Sequence, residues 1–405
     1  MSMKKKILWI SLCAPYDNVG HGGGKTHNYY LKKVFLSNEF DIDLISFCDL
    51  DEYEKANKDL CSYGINHLLI PWIHNINAST IKRKIQLLNM QYNPFNKYGG
   101  ATNEYYWDKI KELIYSKGYD SDLIILQWTE MVLFTSRIRK IFPKKKIIAI
   151  EEDVKFLGYK RQIKLANNRF GKIIATKKYN NLHKKEITEL KKADLVITYS
   201  KKDEILLNES GVKHTMVISP FFEDYSKCVR NNVSKDLLFY GAMSRKDNYE
   251  SAIWFIENVF NKIEDKDIRF IIVGNRPVEK LQKYTSDRII ITGFVDSIVP
   301  YFENCLLFVS PLISGAGVKI KVLEALSSGI PVLTNSIGIE GINAEQGKDY
   351  IHCEEPCEYI EVIKKIMENK ICVDCYSFNS KETIKAHYDL ENDAKRFIQA
   401  LNSLA

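Results

Sequence analysis

Apolar and polar positions along the chain fall into two rhythms. Short apolar runs at 6–12, 41–47, 67–70, 123–127, 147–150, 195–199 and 216–219 predict strands. Helical patterns separate most of them, the alternation expected of a parallel α/β sheet. The first run is apolar on both faces, as in a strand buried on both sides. Over 221–234 (FFEDYSKCVRNNVS) the pattern turns polar and loses its period, which marks a domain boundary. A second series follows, with strands at 237–241, 269–274, 289–293, 306–310, 332–334 and 350–353. Its helices are predicted at 249–263, 297–304 and 356–369. The fold class is therefore α/β, with two doubly wound domains at 1–225 and 226–385. An amphipathic pattern over 382–404 closes the chain, and its last part, 386–405, can pack back on the first domain.

One stretch combines this pattern with chemistry. Residues 310–331 (SPLISGAGVKIKVLEALSSGIP) read as strand end, glycine turn and a helix opened by Gly315-Ala316-Gly317 and closed near Gly329. Unpaired N–H groups at a helix start suit an anion. At helical spacing Gly317, Lys321 and Glu324 share one face, while Val318, Val322, Ala325 and Leu326 share the buried one. A glycine mouth, a cation and a carboxylate could hold a diphosphate and a ribose. An ordinary crossover helix with a solvated polar stripe is the competing reading.

A glycine run, Gly22-Gly23-Gly24-Lys25, follows the first strand and precedes a helix predicted at 28–36. Glycines let backbone amides approach a phosphate. The spacing is neither G-x-G-x-x-G nor Walker A, which argues against a dinucleotide dehydrogenase or an ATPase. Two polar clusters stand where parallel strands end, Gln127-Trp128-Thr129-Glu130 and Glu151-Glu152-Asp153. Ligands bind outside the carboxyl ends of such strands. Glu130, Glu152 and Asp153 are accordingly candidate catalytic acids or bases. Helix capping by Asp153 and a solvated first-turn Glu130 are the plain alternatives. The aromatic-rich segment 91–107 has no clear period. The D-x-D pairs at 41/43, 49/51 and 120/122 come with nothing else that argues for a metal.

The 405 residues exceed one typical core, and no apolar run approaches the length of a bilayer span. The net charge of +7 is uneven, because residues 1–220 carry +12 and the remainder −5. Between 154 and 185 stand ten basic residues and no acidic one. An anionic membrane surface or a polyanionic acceptor is one reading, and a solvated basic helix the other. No strong hydrophobic face accompanies the charge. Nine cysteines without a secretion signal suggest reduced thiols in a cytoplasmic protein. Cys353-x3-Cys357 and Cys372-x2-Cys375 approach a four-thiolate zinc spacing, although each pair falls where a strand end or helix is expected.

The C-terminal half resembles the retaining nucleotide-sugar glycosyltransferases of family 4 (glycosyl transferases group 1, GT-B fold). The resemblance rests on YGAM at 240–243 with Asn248, FIIVGNRP at 270–277, ITGFVDSIVPYF at 291–302 and LLFVSPLISGAGVKIKVLEALSSGIPVLTN at 306–335. The Gly338–Gly341 turn completes it. Residues 22–24 and 184–203 add weaker matches in the first half.

The resemblance implies two Rossmann-like domains facing across a cleft, with a UDP- or GDP-linked sugar in the C-terminal one. A glycan or lipid-linked acceptor would occupy the other. It implies no cofactor and no metal, with helix termini and basic residues neutralising the leaving diphosphate. Glu324 matches the second acid of the family's E-x7-E motif, Gly23 and Gly24 the glycines near the diphosphate, and Val295 a contact to the base. Gly274, Gly315, Val318, Lys319 and Lys321 belong with them at the donor. Ala316 stands where the first acid would be, and Ala242 where an arginine is common, leaving Arg245 or Lys246 to substitute. Glu152-Asp153 occupies the place of a His-Asp pair. The implied function is transfer with retention of configuration, in polysaccharide or glycoconjugate synthesis; the basic stretch at 154–185 adds the reading of a cytoplasmic protein at the inner face of the membrane. These departures also admit a catalytically silent subunit that binds nucleotide-sugar and partners an active transferase.

Overall fold

The computed structural model describes residues 4–20, 22–72, 104–166 and 168–405. Two compact units divide them, Met1–Pro220 with Leu390–Ala405, and Phe221–Asp389. The first unit holds strands β1 (Lys5–Ser11), β2 (Phe40–Cys48), β3 (Asn66–Pro71), β4 (Leu123–Gln127), β5 (Lys146–Glu151), β6 (Leu195–Thr198) and β7 (Thr215–Val217). They pair in parallel in the order β3-β2-β1-β4-β5-β6-β7. Its helices are α1 (Gly22–Leu36), α2 (Leu50–Tyr63), α3 (Glu104–Lys117), α4 (Thr129–Val132), α5 (Thr135–Ile141), α6 (Lys155–Leu165), α7 (Arg169–Leu190) and α8 (Lys201–Glu209).

Successive strand residues point to opposite faces, and both faces are apolar. Leu8, Ile10, Ile124, Leu126, Ile147 and Ala149 pack with Ile110 of α3, Ile138 of α5 and Leu182 of α7. Ile7, Trp9, Leu123, Ile125, Ile148 and Ile150 pack with Tyr30 and Leu31 of α1 and with Phe397 and Leu401 near the chain end.

The second unit repeats the plan with β8 (Leu237–Tyr240), β9 (Phe270–Val273), β10 (Ile289–Gly293), β11 (Leu307–Ser310), β12 (Val332–Thr334) and β13 (Ile351–His352). These are parallel in the order β10-β9-β8-β11-β12-β13. Its helices are α9 (Lys246–Asn258), α10 (Glu279–Gln282), α11 (Val299–Asn304), α12 (Ile320–Ser328), α13 (Pro356–Met367) and α14 (Val373–His387). The last helix, α15 (Leu390–Leu404), belongs to the first unit. In each sheet the strand order reverses beside the first strand, at β1/β4 and at β8/β11, and such switch points open a crevice at the carboxyl ends.

Three expectations are corrected. The glycines at 22–24 are not a loop before a helix but the first turn of α1, where the Thr26 hydroxyl donates to the Gly22 carbonyl at 3.0 Å. The helix after β11 starts at Ile320, not at Gly315–Gly317. Gly317 has φ 69°, a left-handed conformation that no right-handed helix accommodates. The pattern over 382–404 is two helices, broken because Tyr388 leaves helical geometry at φ −122°, ψ 86°. Its hydroxyl accepts from the Asn343 amide at 2.9 Å, and its ring meets Phe222 edge-on. The segment 91–103 lies outside the described residues, and 104–107 opens α3.

Candidate functional site

In the second unit the chemistry collects where β8 and β11 end. Gly241 donates to the Val273 carbonyl at 3.0 Å and Gly274 to the Gly293 carbonyl at 2.9 Å, which draws three strand ends together. A Cβ on Gly274 would sit 1.7 Å from the Gly241 carbonyl oxygen, so the approach requires glycine. The chain then enters α9, where Asn248 Nδ2 donates to the Ala242 carbonyl at 2.9 Å. Asn248 Oδ1 accepts from Lys321 Nζ at 2.6 Å.

Lys321 is the central cation of this end. Its ammonium lies 4.5 Å from the Phe239 ring centroid, a cation–π contact. Burial first, then the neighbouring charges of Lys319 and Arg245, lower its pKa to about 7, with Asp247 opposing. A phosphate arriving here would supply the missing negative charge and restore the proton.

The turn from Ser310 to Lys319 is fastened on both sides. The Ile313 amide donates to Ser251 Oγ at 3.2 Å, and the Ser314 hydroxyl donates to Asp247. Lys319, the residue before α12, donates to the carbonyls of Ala316 and Gly317 at 3.1 and 2.6 Å, and its ammonium is 3.9 Å from buried Glu340. Those carbonyls are thus held by a side chain rather than by the helix ladder. Gly315 and Val318 lie in the same turn, with a Cβ on Gly315 falling 3.3 Å from Lys319 Cε.

Glu324, one turn into α12, is buried. It accepts from the Tyr240 hydroxyl and from the Glu223 amide, the latter at 3.4 Å. Burial first, then Glu324, pushes the Tyr240 hydroxyl pKa well up. Arg245, the exposed N-cap residue of α9, is close enough to act on Lys321, whereas Lys246 is exposed and stands 4.0 Å from Glu250. Val295 is half-buried just after β10, between exposed Phe294 and Asp296. Tyr240, Asp247, Ser314 and Glu340 were not singled out from the sequence. They reach the site from 70 residues or more along the chain or through a turn whose shape only the fold defines.

The first unit builds a second polar end where β4 and β5 finish. Trp9 Nε1 donates to Gln127 Oε1 at 2.8 Å, and Gln127 Nε2 donates to Glu152 Oε1 at 2.7 Å. Gly23 is held against this pair, since a Cβ there would lie 2.4 Å from Trp128 Cη2 and 3.1 Å from Glu152 Oε2. Gly24 behind it is buried. Trp128 itself has φ 79°, a costly conformation for an aromatic residue. Burial and then Asp153 raise the Glu152 pKa to about 8. At neutral pH Glu152 is therefore protonated, which suits a general acid or a donor to a sugar oxygen.

Glu130 is not a solvated first-turn acid, because it is buried and ion-paired with Lys155. Asp153 is half-buried and does not cap α6, whose N-cap residue is Val154. Glu186 of α7 completes the cluster by accepting from the Lys155 amide at 3.1 Å. Burial lifts its pKa to about 8 and lowers that of Lys155 to about 8.

Among the described residues no group of three or more His, Cys, Asp or Glu could hold a metal. The four-thiolate spacing does not assemble: Cys353 is buried and unpaired, Cys357 is exposed, and Cys372 and Cys375 are joined to each other. Among the described residues no helix is long and apolar enough to cross a membrane.

Residues 234–369 match the family model Glycosyl transferases group 1. That range carries the whole Lys321 site apart from Glu223. Over 404 residues the chain is 25% identical to an uncharacterized 44.6 kDa protein in the cps region of Klebsiella pneumoniae, covering 95% of this chain and 96% of that one. Among solved structures it is similar to sucrose-phosphate synthase from Thermosynechococcus elongatus, with TM-score 0.70, 16% identity and 99% of each chain covered. It is also similar to HepE of Anabaena in complex with UDP, with TM-score 0.64, 14% identity, and 99% of this chain and 100% of that one covered. The fold is thus GT-B, built from two Rossmann-like units.

Proposed function

We propose that the protein is a glycosyltransferase that takes a sugar from a nucleotide-diphospho-sugar, UDP- or GDP-linked, and delivers it to a glycan or lipid-linked acceptor with retention of configuration. The observation that carries this reading is the set Lys321, Asn248, Lys319, Gly317 and Glu324 gathered at the switch point of the second sheet, within the range that matches the family model. HepE, of the same fold, is known in complex with UDP. In this reading the diphosphate leaves toward Lys321 and the Gly315–Lys319 turn. Glu324 meets the ribose, and Glu152 with Asp153 serves the acceptor. The reaction requires no protein nucleophile. The likeness to a protein of a cps region supports a role in cell-surface polysaccharide synthesis.

The test is nucleotide release from UDP- and GDP-sugars by the purified protein with an oligosaccharide acceptor, in EDTA and with added Mn²⁺. Release in EDTA supports the reading, and release only with Mn²⁺ overturns its metal-independent form. A second reading, a catalytically silent subunit that binds nucleotide-sugar beside an active transferase, is favoured by Ala316, which places no carboxylate in the turn before Lys319. Nucleotide binding by calorimetry without turnover, and unchanged cellular glycan in a Glu324→Ala strain, would select it.

The enzyme is further proposed to work at an anionic membrane face through α7. There Phe170 and Ile173, each 65% exposed, stand among exposed Arg169, Lys172 and Lys177. An apolar tip ringed by cations is suited to a charged lipid surface.

A further inference from the structure

The nine cysteines divide sharply by setting. Cys48, Cys305 and Cys353 are buried, and burial pushes each thiol to about 12, while half-buried Cys13 is raised as well. Such thiols stay protonated and unreactive. Cys372 and Cys375 differ from these buried thiols. Both are exposed, they are joined to each other as a disulfide, and their Cα atoms are 5.5 Å apart. Cys372 is the N-cap residue of α14 and Cys375 lies in its first turn.

This bond ties no second element to the helix, because both sulfurs belong to one turn. A cross-link stabilises a fold chiefly by closing a long loop in the unfolded chain, and this one joins residues with a sequence separation of only 3. Its position points to reactivity instead. Both residues are exposed, and the positive end of the α14 dipole favours a thiolate there, with Asp374 in the same first turn opposing.

We infer that Cys372 and Cys375 form a thiol–disulfide exchange site for low-molecular-weight thiols or a dithiol reductase. The thiolate of one small thiol attacks a sulfur of the pair, breaking the S–S bond and forming a mixed disulfide. The displaced cysteine leaves as a thiolate and takes a proton. A second small thiolate then attacks the mixed disulfide, freeing the other cysteine and the oxidised small disulfide. Two electrons pass to the cysteine pair and two protons are taken up, and the reverse sequence oxidises it. Neither cysteine belongs to the set around Lys321, so the inference stands independently of the sugar-transfer reading.

The test uses the full chain equilibrated in glutathione buffers of graded reduced-to-oxidised ratio, quenched with a maleimide and weighed by mass spectrometry. The expected result is smooth, reversible conversion of the 372–375 peptide between the disulfide and the doubly alkylated form. Exposed Cys61 and Cys357 report the quench. In Cys372→Ser or Cys375→Ser the remaining cysteine should capture one glutathionyl group, and melting by circular dichroism checks that each variant is folded. Alkylation of both cysteines at every ratio, or a disulfide that survives the most reducing buffer, would overturn the inference from the wild-type chain alone. Absence of any glutathionyl adduct in both folded variants would do the same.

Discussion

Lys321 concentrates the chemistry of the second unit in one proton. Its pKa of about 7 against an ordinary 10.5 means that between these values the unfolded chain binds the proton and the folded chain does not. Stability therefore rises with pH across that window, and the full cost of the buried cation is present below about pH 7. Lys321→Met should flatten this dependence in urea titrations run from pH 6.5 to 10. A bound diphosphate reverses the preference by favouring the charged lysine, so affinity for nucleoside diphosphates should fall as pH rises past about 7. Losing a charge-assisted hydrogen bond costs about 1.5–3 kcal/mol, so Lys321→Met should weaken binding roughly 10- to 150-fold by calorimetry. Glu152 has the opposite sign. Its pKa rises from 4.5 to about 8, so the folded chain holds the extra proton between those values and stability falls as pH rises through them. Glu152→Gln should remove that slope, with the difference in melting temperature from the parent growing from pH 5 to 8. A constant difference would mean that Glu152 is already ionised.

The elements were legible where local pattern decides them, and the departures have local causes. β4, β10 and β12 fall at 123–127, 289–293 and 332–334 as expected, because buried parallel strands are unbroken apolar runs bounded by polar turns. The start of α12 is not legible, because Gly315–Gly317 resembles a helix opening in sequence, while the Lys319 ammonium holds the carbonyls that a helix would need. In the same way Lys321 and Glu324 could be read from spacing, since both lie within one helix. Tyr240 could not, since its contact runs from a strand to a helix 84 residues away, and Glu340 could not, since it meets Lys319 from a turn whose shape only the fold defines. Close approach between elements also separates two glycines that look alike on paper. Gly274→Ala places a methyl 1.7 Å from the Gly241 carbonyl and should cost about 1–3 kcal/mol or more by urea denaturation. Gly158 lies inside α6 with open space at its Cβ, and Gly158→Ala should stabilise by about 0.5–1 kcal/mol.

At the scale of the whole molecule, the chain leaves the first unit at Pro220 and returns to it at Leu390. The return is built into the core. Phe397 meets Trp9 and Tyr30 edge-on at 6.2 and 5.5 Å, and the Ser219 amide donates to Asp393 at 2.8 Å. Phe397→Ala should therefore cost about 3–5 kcal/mol and be read as loss of hydrogen-exchange protection in β1 and α1. The charge asymmetry also belongs to this scale, because +12 sits on residues 1–220 and −5 on the rest. A generally basic surface would bind any polyanion, and binding would depend on total charge alone. The geometry of α7 predicts something narrower, since Phe170 and Ile173 can enter an acyl boundary only where Arg169, Lys172 and Lys177 meet lipid phosphates. Co-sedimentation with vesicles rich in phosphatidylglycerol should exceed that with phosphatidylcholine alone and fall with salt. Lys172→Ala with Lys177→Ala should remove about 2 kcal/mol of attraction, roughly a 30-fold loss of partitioning. Phe170→Ala with Ile173→Ala keeps the charge but should weaken vesicle binding while leaving heparin retention unchanged. Vesicle binding left unchanged by that variant would show a charged surface that does not enter lipid, and no binding to anionic vesicles at low salt would remove the membrane role altogether.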